Sequence, residues 1–195
     1  MVKYIILCFL LSMTTMDAKN TKLTLLPESE LWFDGTSTLH NFKCESDEIV
    51  ADLTLIDSLN VLSDSSNFIL SVTVPTTSLD CDDMIMNRNM YEALKSDAVP
   101  EITYLLQSID SESLGGGKYK LNSVGQLKIA GVVQTIHLIV DAFENDNGII
   151  EMTGHTLVDM TEYNIEPPSF WFGTIKTGNV IDISFDLKFK KEWRG

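Results

Sequence analysis

The residues best suited to chemistry in this sequence are three histidines, His40, His137 and His155, scattered along the chain. Metal ligation needs several donors that converge, and no histidine four residues away and no paired cysteine accompanies any of the three. His137 falls on the outward register of a strand, where a surface histidine is the simpler interpretation. The sequence therefore predicts no metal site and no resident cofactor.

Motifs for catalysis are not found either. The sequence contains no Gly-x-Ser-x-Gly nucleophile elbow, no phosphate-binding glycine loop and no dinucleotide fingerprint. The glycines at 115–117 fit a hairpin turn, because no helix follows them whose N-terminus could bind a phosphate. Carboxylates are plentiful but fall mostly in loops or on outward registers. We therefore expect a protein that is not an enzyme.

The first 18 residues have the features of a secretory signal: Lys3, a short apolar run, and the small residue Ala18 near a cleavage point. We expect an exported protein, periplasmic or secreted, with its domain at residues 19–195. Loss of the signal removes Cys8 and leaves Cys44 and Cys81, an even number in an exported chain. Their spacing is compatible with a disulfide and with two unpaired thiols.

The formal net charge is −14 at pH 7. A charge of this sign repels nucleic acid and anionic lipid headgroups, so we expect no nucleic acid as a partner. The apolar run near the N-terminus is too short to span a bilayer comfortably, and we expect no stable membrane insertion. The sequence leaves a homodimer open.

Apolar and polar residues alternate with period two through most of the chain, which predicts antiparallel strands. The clearest pattern covers residues 181–190, and residues 118–141 form two strands joined at Ala130-Gly131. Pro27 interrupts the first strand region. Eight or so strands at short spacing indicate an all-β domain, either a sandwich or an up-and-down barrel. Pattern alone leaves open whether a barrel is filled or holds one small ligand.

One helix is predicted at about residues 83–95, capped by Asp82 or Asp83. Met86 and Met90 lie four residues apart on one face of this helix. Ordinary core packing explains such methionines. Alternatively, unbranched thioethers form a pliable wall for a ligand of variable shape.

Six segments carry a resemblance to a known family. They are Gly35 to His40, Met90 to Lys95 with Pro100, Gly125 to Val132, Gly154 to Met160, Thr161 to Ile165 with Pro167-Pro168, and the closing alternating strand. Together they resemble the YceI-like family of exported polyisoprenoid-binding proteins, in the right order over nearly the whole mature chain. The resemblance implies an extended, lipocalin-like eight-stranded antiparallel β-barrel that holds one amphiphilic isoprenoid chain and has no catalytic residues.

The chain also departs from the family pattern. Many members carry Arg-Asp-x-His-Leu near the start of the helix, where this chain has Asn87 to Tyr91. A basic residue commonly follows the Gly-Val of the hairpin, where this chain has Val133-Gln134. Both changes weaken the expectation of a charged pyrophosphate at the pocket. Asn164 replaces a family glycine but tolerates a left-handed backbone, so we expect the barrel to be retained.

We therefore expect an exported lipid carrier or sequestering protein whose partner is an amphiphilic lipid or isoprenoid. The inward register and the methionine face give these lining candidates: Phe33, Leu53, Leu70, Val72, Met86, Met90, Leu138, Ile183 and Phe185. His40 and Asn89 are assigned as head-group contacts. The alternative is a solid-core structural or protein-interaction module that binds no small molecule. The apolar cluster Phe170-Trp171-Phe172 fits either a plug in the core or an exposed rim.

Overall fold

The computed structural model describes residues 20–46, 48–56, 68–170 and 175–191. The predicted signal at residues 1–18 lies outside this part of the chain. The described elements, in chain order, are β1 (Thr21–Leu25), β2 (Glu30–Thr36), β3 (Asn41–Ser46), β4 (Val50–Leu55), β5 (Phe68–Pro75), α1 (Met84–Ala93), β6 (Glu101–Gly115), β7 (Lys118–Ile129), β8 (Val132–Glu144), β9 (Ile149–Asp159), β10 (Ser169–Phe170), β11 (Ile175–Lys176) and β12 (Val180–Lys191).

Eight antiparallel strands close into a barrel in the order β1-β4-β5-β6-β7-β8-β9-β12, and β12 pairs back with β1. The hairpin of β2 and β3 continues the wall beside β12. Leu23 faces Leu53 and Leu31 faces Ser46, so β1–β2 and β3–β4 act as two long strands, each interrupted once. The predicted eight-stranded barrel with one helix is confirmed, including the interruption at Pro27.

Local sequence explains the main turns. The β7–β8 hairpin turns at Ala130 and Gly131, whose φ angles of 49° and 85° suit the two-residue turns that join twisted strands. Asn164 has a φ of 55° and ends a short 3₁₀ turn, as its tolerance of the left-handed region predicted. Asp83 caps α1 by accepting hydrogen bonds from the backbone N–H groups of Ile85 and Met86.

Two boundaries differ from the prediction. Residues 41–46 form β3, although the sequence pattern gave no strand there, because pairing with β2 supplies the hydrogen bonds. β6 continues to Gly115, although the polar and glycine-rich stretch from Ser111 to Gly117 is typical of a turn. Ser111 pairs with Leu121 of the long strand β7, and this pairing keeps the polar end of β6 in the sheet.

The barrel is packed solid at the end formed by β1 and β4. Five side chains there are at most 1% exposed: Leu23, Leu53, Leu55, Ile150 and Phe189. Fully burying one such side chain contributes roughly 1.5–3 kcal/mol, so this solid end supplies much of the stability of the fold.

At the other end, β3 has no neighbouring strand on its outer edge among the described residues. Glu45 and Asp80 form a single bridge there, with two backbone hydrogen bonds of 2.9 Å. One residue away on each side, a disulfide joins Cys44 to Cys81. The chain leading into α1 is therefore tied to β3 where the sheet itself does not continue.

Tyr163 is packed under the end of α1 with Leu127, Ile129 and Val158 and is 1% exposed. Its hydroxyl group is buried and has no hydrogen-bond partner among the described residues. Burial, aided by the nearby charge of Glu162, raises the pKa of Tyr163 to about 12. The neutral phenol is therefore the form that the fold accommodates.

We expect the double substitution Cys44→Ala and Cys81→Ala to lower the free energy of unfolding by about 2–4 kcal/mol, because the disulfide restricts the unfolded chain. Urea unfolding of the variant measures this. Reduced wild-type protein is the control and should unfold at nearly the same urea concentration as the variant. If the wild type, denatured without a reductant, shows two titratable thiols, the prediction is wrong.

We expect Tyr163→Phe to be neutral or slightly stabilising at pH 8, because it removes a buried hydroxyl group without a partner. The unfolded tyrosine ionises near pH 10 and the folded one near pH 12, so the wild type loses stability between these values. The variant lacks this loss. Urea unfolding at pH 8 and pH 11 should show its advantage growing with pH, and an equal difference at both values would indicate a solvated hydroxyl.

Candidate functional site

A cavity of about 220 Å³ occupies the barrel beyond the solid end. This is many times the roughly 10–15 Å³ that one enclosed water molecule requires. Its wall is built from α1, β2, β3, β5 to β9 and β12, while β1 and β4 contribute none of the lining residues. The barrel is therefore divided into a packed end and a hollow end.

The cavity is elongated. Leu121 and Ile129 both line it and lie eight positions apart on β7, which corresponds to about 26 Å of strand. With the usual strand tilt of about 35–45°, this becomes about 20 Å along the barrel axis. Such a slot suits a chain-like guest better than a compact one.

No charged side chain among the described residues lines the cavity. Its polar residues are Asn89, Ser123, Thr156 and Thr177, together with the hydroxyl group of Tyr104. The Ser123 hydroxyl donates to the Leu138 carbonyl at 3.3 Å and accepts from Tyr104 at 3.5 Å. Burial raises the pKa of Tyr104, so its phenol stays neutral. This chemistry favours binding of an apolar chain and offers no acid–base pair.

Glycines hold three aromatic rings against the wall and keep the cavity open. Gly35 and Phe42 are paired across β2 and β3, and a Cβ on the glycine would lie 2.3 Å from the ring. Gly154 and Phe185 are paired across β9 and β12, with a corresponding distance of 2.7 Å. Each ring therefore lies over bare backbone, where a larger residue would push it inward.

The third pair lies on β6 and β7. Tyr104 pairs with Leu127, and its ring extends sideways over Gly125, where a Cβ would lie 2.4 Å from three ring and hydroxyl atoms. Gly125 breaks the alternation of apolar residues along β7, which is typical of a bend or bulge. A one-residue register shift does occur there, on the facing strand between Leu106 and Ser108.

The helix α1 forms one side of the cavity. Met86, Met90 and Ala93 line it, and the Cys81 sulfur lies 3.8 Å from the Met90 sulfur. The methionines therefore face the cavity, and their flexible thioethers can adapt to a guest.

Eight predicted lining residues lie at the cavity wall: Phe33, Leu70, Val72, Met86, Met90, Leu138, Ile183 and Phe185. Leu53 does not; it points inward as predicted but lies within the solid end. That the eight residues at the wall bind a ligand stays a prediction.

Of the two predicted head-group contacts, Asn89 lines the cavity beside Met90. His40 does not line it and is exposed in the turn between β2 and β3, where Ser37 accepts its backbone N–H. The small and polar residues of the segment from Gly35 to His40 carried no information on which way this turn faces.

The sequence prediction missed the lining residues of β3 and β6, such as Phe42 and Tyr104. The alternation within β6 was a usable signal for Tyr104, since Ile102 and Leu106 share its face. No such signal existed for Phe42 while β3 itself was not predicted. Trp171 and Phe172 of the aromatic cluster lie outside the described residues, and only the backbone of Phe170 is described, in β10.

The outer surface holds the remaining histidines. His137 is exposed on β8, and the His155 ring nitrogen Nδ1 lies 3.0 Å from an Asp182 carboxylate oxygen in an exposed pair. Within the described ranges, no three or more histidine, cysteine or acidic residues are grouped to hold a metal ion. No helix in the same ranges is long and apolar enough to cross a membrane.

Comparison with known proteins places this geometry in a family. A family model described as a YceI-like domain matches residues 15–189. The crystal structure of Burkholderia cenocepacia BcnA superimposes with a TM-score of 0.69 at 17% identity, covering 85% of this chain and 99% of that one. The similarity to BcnA at this identity concerns the fold.

Two further structures have the same fold. A polyisoprenoid-binding domain from Saccharophagus degradans, implicated in plant cell wall breakdown, gives a TM-score of 0.65 at 12% identity and covers 90% of this chain and 100% of that one. A YceI protein from Campylobacter jejuni gives 0.58 at 17% identity, with coverages of 79% and 86%. A search of curated proteins finds no match.

We expect Gly125→Ala to drive the Tyr104 ring off the wall and into the cavity, at a cost of about 1–3 kcal/mol in stability. Binding of the uncharged fluorescent probe N-phenyl-1-naphthylamine should weaken. Adding Tyr104→Leu in the same chain should restore binding, because the overlap is removed, and Tyr104→Leu alone is the control. Equal probe binding in the wild type and in Gly125→Ala would show that the ring does not limit the cavity.

Proposed function

The chain belongs to the YceI-like family, and from this premise we propose that it is an exported protein that carries or sequesters one amphiphilic lipid chain of the isoprenoid type. The observation that supports this most is the long apolar cavity, which no charged side chain lines in the part of the chain that the structure describes. Each methylene group removed from water contributes roughly 0.8 kcal/mol, so a long tail binds tightly with few polar contacts.

The ligand class is supported from two sides. The Saccharophagus degradans structure is that of a polyisoprenoid-binding domain, and this chain shares its fold. In this chain, methionines and aromatic rings laid over glycines form a wall that adapts to the methyl branches of such a tail.

The alternative, a solid-core interaction module, requires an interior filled by the protein's own side chains. The solid end meets that condition and the remainder of the barrel does not, because a cavity of about 220 Å³ extends from it toward α1. Lipid binding is therefore the better account of the interior.

Export is part of the proposal. The basic and apolar N-terminal segment supports it, as does the disulfide between Cys44 and Cys81, since disulfides persist in oxidising compartments. The acidic surface, with a net charge of −14, favours a soluble carrier that does not adhere to anionic membranes.

We expect native mass spectrometry of the purified mature protein to show a discrete added mass that denaturation releases. Leu138→Glu should abolish this mass, because an unpaired carboxylate in the cavity wall is costly to bury beside an apolar tail. The matched control is Ile139→Glu, the next residue on β8, whose side chain is 59% exposed on the outer face.

Circular dichroism of each variant establishes that it folds. If Leu138→Glu does not fold, Ile183→Glu on β12 replaces it, with Ser184→Glu as its neighbour control. A folded cavity variant that keeps the full added mass, or a wild type that binds neither co-purified nor added lipid, would refute the proposal.

A further inference from the structure

Asn89 carries an unmatched hydrogen-bond donor in the wall of the cavity. It is the polar member of the α1 residues that line the cavity, beside Met86, Met90 and Ala93. Its amide nitrogen Nδ2 is buried and has no hydrogen-bond partner among the described residues. Buried polar groups in folded proteins are nearly always partnered, so this donor calls for an acceptor that the described chain does not supply.

Two other polar groups of the wall, the hydroxyl groups of Ser123 and Tyr104, differ from Asn89. They already bond each other, and Ser123 also donates to the Leu138 carbonyl. Neither hydroxyl group therefore competes with Asn89 as an open donor.

Charge determines what kind of acceptor fits. Among the described residues no basic side chain lines the cavity, so a diphosphate or carboxylate there would be buried without a counter-ion from them. The segment 80–95, which includes the helix, carries four carboxylates and only two basic residues, Arg88 and Lys95, so its net charge is negative. Its field opposes an anion approaching α1.

An apolar tail fits the part of the cavity next to the solid end. Toward the solid end its wall is apolar, with Leu121, Val140 and Leu187. A tail placed there leaves the head of the guest at α1, within the reach of Asn89.

We propose that Asn89 selects the head group of the ligand and that this head is an uncharged hydrogen-bond acceptor, such as a carbonyl or ether oxygen, and not a phosphate or carboxylate. The inference rests on the proposed lipid-binding function and adds the chemistry of the head. The Asn89 amide donates to the oxygen while the tail extends toward the solid end.

Three probes with the same isoprenoid tail test this: geranylgeranylacetone, which has a ketone; the hydrocarbon without the carbonyl; and geranylgeranyl diphosphate. Displacement of N-phenyl-1-naphthylamine gives each dissociation constant. The wild type should favour the ketone over the hydrocarbon by about 3- to 10-fold, the effect of one neutral hydrogen bond. It should bind the diphosphate more weakly than either.

Asn89→Leu should abolish the preference for the ketone and leave hydrocarbon binding unchanged or tighter. Asn122→Leu, the same substitution at an exposed position on β7, is the control and should preserve the preference. A ketone preference that survives Asn89→Leu, or diphosphate binding as tight as ketone binding, overturns the head-group inference alone. Failure of all three probes to bind the wild type overturns the proposed function and this inference with it.

Discussion

The hollow interior of this barrel depends on where three aromatic rings are allowed to lie. An eight-stranded barrel is only just wide enough to hold either its own side chains or one small ligand. Phe42, Tyr104 and Phe185 all point inward, and each could close the lumen. Because a glycine lies beside each ring, the end of the ring occupies the space that a Cβ would take, and the space between the walls stays open.

Stability and binding are separated along the barrel axis. The solid end, with Leu23, Leu55 and Phe189 fully or almost fully buried, provides the packed core that a folded chain needs. The hollow end lacks that packing, and the outer edge of β3 has no neighbouring strand there among the described residues. The disulfide between Cys44 and Cys81 and the bridge between Glu45 and Asp80 tie the chain that leads into α1 to this edge. The helix can therefore serve as a cavity wall without being part of the sheet.

Charged side chains lie on the outer surface of the barrel and are separated from the apolar wall of the cavity. The chain carries a net charge of −14, yet the described residues that line the cavity include no ionisable acid or base apart from the neutral phenol of Tyr104. The outward register of the strands takes the charged residues, as in the exposed pair of His155 and Asp182. Such an interior offers dispersion and hydrophobic contact along its length, and Asn89 adds a donor that has no partner among the described residues.

The sequence by itself determined most of the strands, though not β3, and which face of each predicted strand is inward, because side chains in a strand alternate with period two. It thus placed Leu138, Ile183 and Phe185 on the inner face and Met86 with Met90 on one face of α1. Period two carries no information on height along the barrel axis or on the neighbour across the sheet. Only the tertiary structure decided that Leu53 lies in the solid end, that His40 turns outward, that Cys44 meets Cys81, and that glycines hold the rings aside, since each depends on residues far apart in the chain.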